Sequence, residues 1–270
     1  MAGAETGTAA VAAVEAGKTD RGGITMSHET GGTINVMKRY ELKYLLDRGQ
    51  TAFLVSSLRG HMESDRYGMT TIASLYYDTP DDRLIRRSME KPDFKEKLRL
   101  RSYGPATEDS PVFLELKRKA SGIVYKRRVQ TTLPEVRRFF TGTDGLFRDR
   151  QISRELSWFR DSCAPLQPAC LIIYDRVAYY EPGGDLRLTI DFNPRCRMDN
   201  MDLTGPMDGI PLRPDGDTIL EIKVQEAMPL WLTAILDEGQ IYKNSFSKYG
   251  EAYRQFSGIR NPHPALRIAV

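Results

Sequence analysis

The sequence predicts an α+β protein: a closed antiparallel β-barrel forming a cation-lined tunnel, with helices packed outside. Three observations lead there. Strand-like runs carry cations at alternate positions, aliphatic residues fill the other positions, and helix-like runs with apolar stripes need a surface to pack on. Alternation alone usually marks an antiparallel sheet with a solvated charged face. Two features argue beyond that. Lys95, Lys97, Arg99 and Arg101 form one row, spaced ~7 Å per step. Such a row repels itself unless an anion or facing carboxylates compensate. The Leu, Ile and Val faces also offer the helices their packing surface, which turns the charged faces inward.

Residues 1–36 are rich in Ala, Gly and Thr without helical or strand period, and read as a disordered leader. The domain then covers 37–260, and 261–270 is a tail. A first strand is expected over 39–46. Asp47 caps a helix over 50–62, with Ala52, Phe53, Val55 and Leu58 as its stripe. A strand at 72–78 closes at Thr79-Pro80, and Asp81 or Asp82 caps a short helix through Met89. Strands follow at 94–103, 112–119 and 123–131, the last two joined by Ala120-Ser121-Gly122, which suits a hairpin. Helices are expected at 134–140 and 149–162, and strands at 170–180 and 185–191 around Pro182-Gly183-Gly184. A strand at 218–224 and helices at 230–238 and 248–256 complete the chain. The Pro-, Gly- and Asp-rich stretch 192–217 reads as the longest loop.

Composition narrows the function. The 270 residues are 40% hydrophobic and 28% charged with a net charge of only +3, so bulk charge gives no reason to expect nucleic acid. Cys163, Cys170 and Cys196 are odd in number and fit no zinc spacing, which favours a reducing compartment. His28, His61 and His263 are scattered, leaving hard, oxygen-ligated cations as the expected metals. No apolar run nears the ~20 residues that span a bilayer, and no signal peptide is evident. The protein is expected to be soluble and cytoplasmic.

The charged faces can be assigned strand by strand. Glu115, Lys117 and Lys119 share a face, as do Lys126 and Arg128, Tyr174 and Arg176, Arg187 and Asp191, and Glu221 and Lys223. A cationic interior with a few carboxylates suits a polyanion and its metal. Each residue also has a plainer reading. Glu221 fits an ion pair as well as a metal, Ser247 fits a helix cap, Tyr40, Tyr76 and Tyr77 fit packing, Lys95 and Arg127 fit solvated surface, and Arg118 faces outward.

Tyr40-Glu41-Leu42-Lys43, Tyr76-Tyr77-Asp78-Thr79-Pro80, Lys97-Leu98-Arg99-Leu100-Arg101-Ser102-Tyr103-Gly104, Phe113-Leu114-Glu115-Leu116-Lys117, Tyr174-Asp175-Arg176, Leu220-Glu221-Ile222-Lys223 and Ser247-Lys248-Tyr249 occur in that order. The set closely resembles the VTC-type polyphosphate polymerase domain, a branch of the triphosphate tunnel metalloenzymes (CYTH-like). The likeness covers residues 38–256. It implies a tunnel of about eight antiparallel strands, with Mn2+ or Mg2+ and basic side chains holding a triphosphate. It implies transfer of the γ-phosphate of ATP to a growing polyphosphate chain, with release of ADP. Carried over by position, Arg99, Arg101, Lys117, Arg176 and Lys248 are the expected catalytic residues. Lys43, Lys97, Lys119, Lys126, Arg128, Tyr174 and Ser247 are expected to bind substrate, and Glu221 to bind metal, with help from Glu115 or Glu41. Some relatives have His where this chain has Lys119. Arg39 stands where hydrolytic relatives carry the first Glu of Glu-x-Glu-x-Lys, which favours the polymerase branch. Residues 1–36 are too short to supply the regulatory SPX domain of eukaryotic relatives, and with no transmembrane segment in the sequence any membrane partner is expected to be a separate protein. Two other functions fit the same residues: hydrolysis of tripolyphosphate or a nucleoside triphosphate, and silent binding of polyphosphate.

Overall fold

The computed structural model describes residues 40–121, 123–142, 150–213 and 216–260. The expected leader and tail, Arg39 and Gly122 lie outside the described residues. In chain order the elements are β1 (Tyr40–Leu46), α1 (Arg48–Ser57), β2 (Glu63–Ser64), β3 (Thr70–Asp78), α2 (Arg83–Met89), β4 (Phe94–Tyr103), β5 (Val112–Ala120) and β6 (Ile123–Thr131), followed by α3 (Leu133–Thr141), α4 (Arg150–Ser162), β7 (Gln167–Tyr180), β8 (Arg187–Arg197), β9 (Ile210–Pro211), β10 (Thr218–Val224), α5 (Leu230–Glu238), β11 (Lys243–Asn244) and α6 (Lys248–Arg260). No described helix is long and apolar enough to cross a membrane.

The strands form one antiparallel sheet in the order β11-β1-β10-β8-β7-β3-β4-β5-β6, with β2 beside β7 and β9 beside β8. The sheet is open, and this overturns the expected closed barrel. Closure needs backbone pairing between the two sheet edges. Here β1 gives its outer edge to the two-residue β11, through Lys43 opposite Asn244 and Tyr44 opposite Lys243, while β6 ends the other side. The sheet is nevertheless strongly curled. In a flat sheet, the strand steps from β1 to β5 would span roughly 30 Å at ~4.8 Å each, yet Lys117 Nζ of β5 lies 3.5 Å from Glu41 of β1. The charged face is therefore concave.

The convex face is apolar. Leu98, Leu100, Leu114 and Leu116 pack with Val136 and Phe139 of α3 and with Leu156 and Phe159 of α4. Phe139 and Phe159 are fully buried, each contributing roughly 2–3 kcal/mol. Leu188, Ile190, Leu220, Ile222 and Leu46 pack with Leu54 of α1 and with Leu232 and Leu236 of α5. Outward-facing Arg118 and Arg127 pair with Glu96 and Glu155 at 2.5 and 2.7 Å.

Three local expectations change. First, not every helix lies outside. Near the C-terminal end of β3, the concave face turns apolar through Tyr76, Cys170, Ile172, Tyr174 and Cys196, and Tyr249 and Ala252 of α6 cover it. Second, β8 continues to Arg197, so the long loop begins later than expected. Pro194 is tolerated because the strand is irregular there: Asn193 takes φ 47° and the β7–β8 register slips between Ile173 and Asp175. Third, α2 is capped from a distance. Asp82 adopts φ 55° and makes no side-chain cap bond. Asp78 instead accepts from the backbone N–H of Leu84 and of Ile85, at 2.8 and 2.9 Å. At the start of α1, by contrast, Asp47 forms the expected cap, a reciprocal box with Gln50.

Asp78 is fully buried and also accepts from Thr79 N and from Tyr249 Oη, at 2.8 and 2.9 Å. It ties β3, α2 and α6 together. Asp78→Ala orphans these buried donors, so urea unfolding should show a loss of about 3 kcal/mol.

Candidate functional site

Strand register places the chemistry on one face. Opposed residues of neighbouring strands share a face, and the pairs run Glu41–Lys223 and Lys43–Glu221, then Glu221–Thr189 and Asp191–Arg176. On the other arm they run Tyr76–Arg99 and Ser74–Arg101, Lys97–Lys117 and Arg99–Glu115, then Lys117–Lys126 and Glu115–Arg128. The predicted residues Lys43, Lys97, Arg99, Arg101, Lys117, Lys119, Lys126, Arg128, Tyr174, Arg176 and Glu221 all lie on this concave face. Ser247 and Lys248 reach it from the start of α6. Lys97 Nζ donates to Ser247 Oγ at 3.2 Å, and Lys248 pairs with Asp191. Ser247 Oγ also accepts from Gly250 N, so it caps the helix as well.

Carboxylates divide the face into clusters. Glu115 is buried and gathers Arg99 at 2.7 Å, Lys126 at 3.0 Å, Arg128 at 3.5 Å and Arg101 at 3.8 Å. Burial alone would raise its carboxyl, but Arg99, Arg101 and Lys126 outweigh that and hold it well below the usual carboxylate range. Asp191 is fully buried, takes a two-bond grip from Arg176 at 2.5 and 2.8 Å, and also receives Lys248. Against its burial, Lys248 and Arg176 lower its carboxyl.

Glu41 and Glu221 form the third group. Both lie on the ammonium of Lys43, at 3.5 and 3.8 Å, and Glu221 also pairs with Lys223 at 2.9 Å. Burial and mutual repulsion would raise Glu41, but Lys117, Lys43 and Lys223 bring it down. Burial would likewise raise Glu221, which Lys223, Lys43 and Arg176 hold well below its ordinary value.

Cations exceed anions at one end. Lys95 stands opposite Lys119, and Lys97 opposite Lys117. Among the described residues, only Glu41 is within ion-pair distance of any of the four, on Lys117. Burial pushes the Lys97 ammonium down to about 8, helped by Lys43, Lys95 and Lys117. Among the described residues, the buried atoms Ser74 Oγ, Arg101 Nε and Thr189 Oγ1 on this concavity have no hydrogen-bond partner. Such atoms are costly unless something binds them. The excess of lysines over carboxylates gives this end of the face a positive potential that suits an anion.

No group of three or more His, Cys, Asp or Glu that could hold a metal is present among the described residues. Glu115 is committed to four cations, which leaves Glu41 and Glu221 for a metal. Two ionised carboxylates suit a hard divalent cation that takes its remaining oxygens from phosphate and water. Sequence reading passed over Asp191, Ser74, Thr189 and Lys223 as site residues. Alternation placed Asp191 and Lys223 on charged faces, whereas no local signal marks Ser74 or Thr189.

The family model described as VTC domain matches residues 38–257. No functionally curated protein matches the sequence. Among solved structures, an adenylate cyclase-like protein of Bacillus halodurans is similar at 16% identity and TM-score 0.50, over 77% of this chain and 92% of its own. An adenylyl cyclase-like protein of Hippeastrum, described as having a dominant triphosphatase activity, is similar at 16% identity and TM-score 0.51, over 82% of this chain and 96% of its own. These two likenesses show a shared fold.

Two outcomes follow from this geometry. Below about pH 8 Lys97 carries its charge before any anion arrives; above it, anion binding must draw a proton from water. Affinity for tripolyphosphate should therefore fall up to ~10-fold per pH unit above 8, and Lys97→Met should flatten that slope in calorimetric titrations. Glu115→Gln leaves four cations uncompensated and should cost about 3–5 kcal/mol, with added tripolyphosphate restoring much of the thermal midpoint.

Proposed function

This chain belongs to the VTC domain family, and on that footing we propose that it is a divalent-metal-dependent polyphosphate polymerase, moving the γ-phosphate of ATP onto a polyphosphate chain and releasing ADP. The observation that carries this reading is the basic row Lys95-Lys97-Arg99-Arg101, faced by Lys117 and Lys119 across the strand pair. The row spans roughly 20 Å along β4, long enough for phosphates beyond those of one triphosphate.

Phosphoryl transfer places charge on the equatorial oxygens of the moving group and needs the attacking and leaving oxygens in line. Arg99 and Arg101 offer planar forks for those oxygens. Glu115 keeps both guanidiniums oriented, and Tyr76 Oη accepts from Arg99 at 3.2 Å. Arg176 and Lys248, set by Asp191, supply charge from the opposite wall. Lys43, Lys117, Lys119 and Lys126 extend the phosphate path, Arg128 meets the substrate at the Tyr103 end of the face, and Ser247 positions Lys97. Tyr174 lies beneath Lys248 and Arg176, its ring 4.3 and 5.1 Å from their charges. The acceptor is a phosphate oxygen that is already anionic, so the reaction needs no general base. Glu221, with Glu41, would hold Mn2+ or Mg2+, which when bound neutralises phosphate charge and polarises the bond being broken. The groups on this face act by positioning and electrostatics alone.

The test is an incubation with ATP and Mn2+ or Mg2+ in which ADP, orthophosphate and long-chain polyphosphate are measured together. ADP with polymer is expected. ADP with equimolar orthophosphate and no polymer would make the protein a hydrolase, and no turnover even with a polyphosphate primer would make it a binding module. Arg99→Ala and Glu221→Gln should each lower turnover by roughly 100-fold or more, with circular dichroism unchanged for Glu221→Gln.

A further inference from the structure

On β4, β5 and β6 the charged face ends in side chains whose chemistry differs from phosphate binding. Tyr103 follows Arg101 on the same face, and Phe113 stands opposite Arg101. The guanidinium carbon of Arg128 lies 3.8 Å from the Phe113 ring centroid and 5.9 Å from that of Tyr103. The two rings meet edge to face at 5.7 Å. Arg128 Nη2 donates to Tyr103 Oη at 3.2 Å, and its Nε lies 3.5 Å from Glu115. The guanidinium plane is thus pinned by a carboxylate, a phenol and a ring face, arrangements that favour stacking.

These groups are open where Tyr76 and Tyr174 are closed. Tyr103 is 47% exposed and the Arg128 side chain 35%. Tyr76 and Tyr174, by contrast, are buried, one stacked on Tyr249 and the other beneath Lys248. At the opposite end of β4 to β6, the positions facing the groove are Lys95, Lys119 and Val124.

We propose that Tyr103 and Arg128 form a stacking subsite for the base of a nucleoside triphosphate whose phosphates run over Arg101, Arg99 and Lys97. This rests on the reading of the charged face as a triphosphate site. Strand rise puts Tyr103 roughly 13 Å from Arg99, the length class of an extended nucleotide, so base and terminal phosphates reach both ends together. Stacking accepts any flat ring and rewards the larger, so purine nucleotides should bind more tightly than pyrimidine nucleotides, without strict choice of base. The base end of the groove is then the Tyr103 end, and the lysine end is left to the polymer.

The experiment is calorimetric titration of the full chain with ATP, CTP and inorganic tripolyphosphate, each with Mg2+, for wild type, Tyr103→Ala and Tyr103→Phe. Tyr103→Ala should weaken ATP roughly 10-fold, the scale of one lost base–aromatic stack, and leave tripolyphosphate unchanged. Tyr103→Phe keeps the ring and should bind ATP nearly as wild type does. Equal losses for ATP and tripolyphosphate in Tyr103→Ala would reduce Tyr103 to a prop for Arg128 and overturn the subsite, as would no change for either. A wild-type chain that binds tripolyphosphate yet shows no tighter binding of ATP than of CTP would remove the base preference while sparing the phosphate site. A wild-type chain that binds none of the three would overturn the triphosphate reading, and the subsite with it.

Discussion

Four cations, two from each strand flanking β5, converge on the carboxylate of Glu115. Without that charge, Arg99, Arg101, Lys126 and Arg128 would repel across β4, β5 and β6, and the curled sheet would have to open or hydrate. With it, the arginines are oriented before a ligand arrives. A buried ionic cluster of this kind adds little net stability compared with an apolar one, but breaking it is expensive. It therefore specifies arrangement more than it stabilises. Asp191 plays the same part for Arg176 and Lys248 on the opposite wall.

The excess of cations beyond these clusters sets a second constraint. Lys95, Lys97, Lys117 and Lys119 oppose each other across strands, and burial lowers the charge that Lys97 can carry. The groove thus carries more positive than negative charge, and among the described residues Ser74 Oγ, Arg101 Nε and Thr189 Oγ1 have no hydrogen-bond partner. A bound polyanion relieves both deficits, which links ligand affinity to stability. The outer face holds this arrangement because its apolar residues pack under α1, α3, α4 and α5, and its Arg118 and Arg127 pair with Glu96 and Glu155.

α6 joins the two constraints. Ser247 and Lys248 meet the charged groove, while the next residue, Tyr249, packs on Tyr76 and donates to Asp78. Asp78 in turn caps α2. The helix that carries the groove lysine Lys248 is thus fastened through the core, so its position depends on packing at the end of β3.

Much of this was legible in the sequence because side-chain alternation along a strand is a property of the chain itself. Lys95, Lys97, Arg99 and Arg101 had to share a face, and Leu98 and Leu100 had to take the other, whatever the strand paired with. The ordered short motifs extended that to the family. Capping by Asp47 was equally local, since donor and acceptor lie within one turn. What tertiary structure decided are relations between distant segments. Sheet closure depends on which backbone edges meet, and backbone groups are the same in every residue, so no side-chain pattern announced that β11 would occupy the edge of β1. The seat of α6 on the concave face, with Tyr249 on Asp78 and Lys248 on Asp191, likewise arises only when segments far apart in sequence are brought side by side. Periodicity chooses the face of a residue; three-dimensional pairing chooses its neighbours.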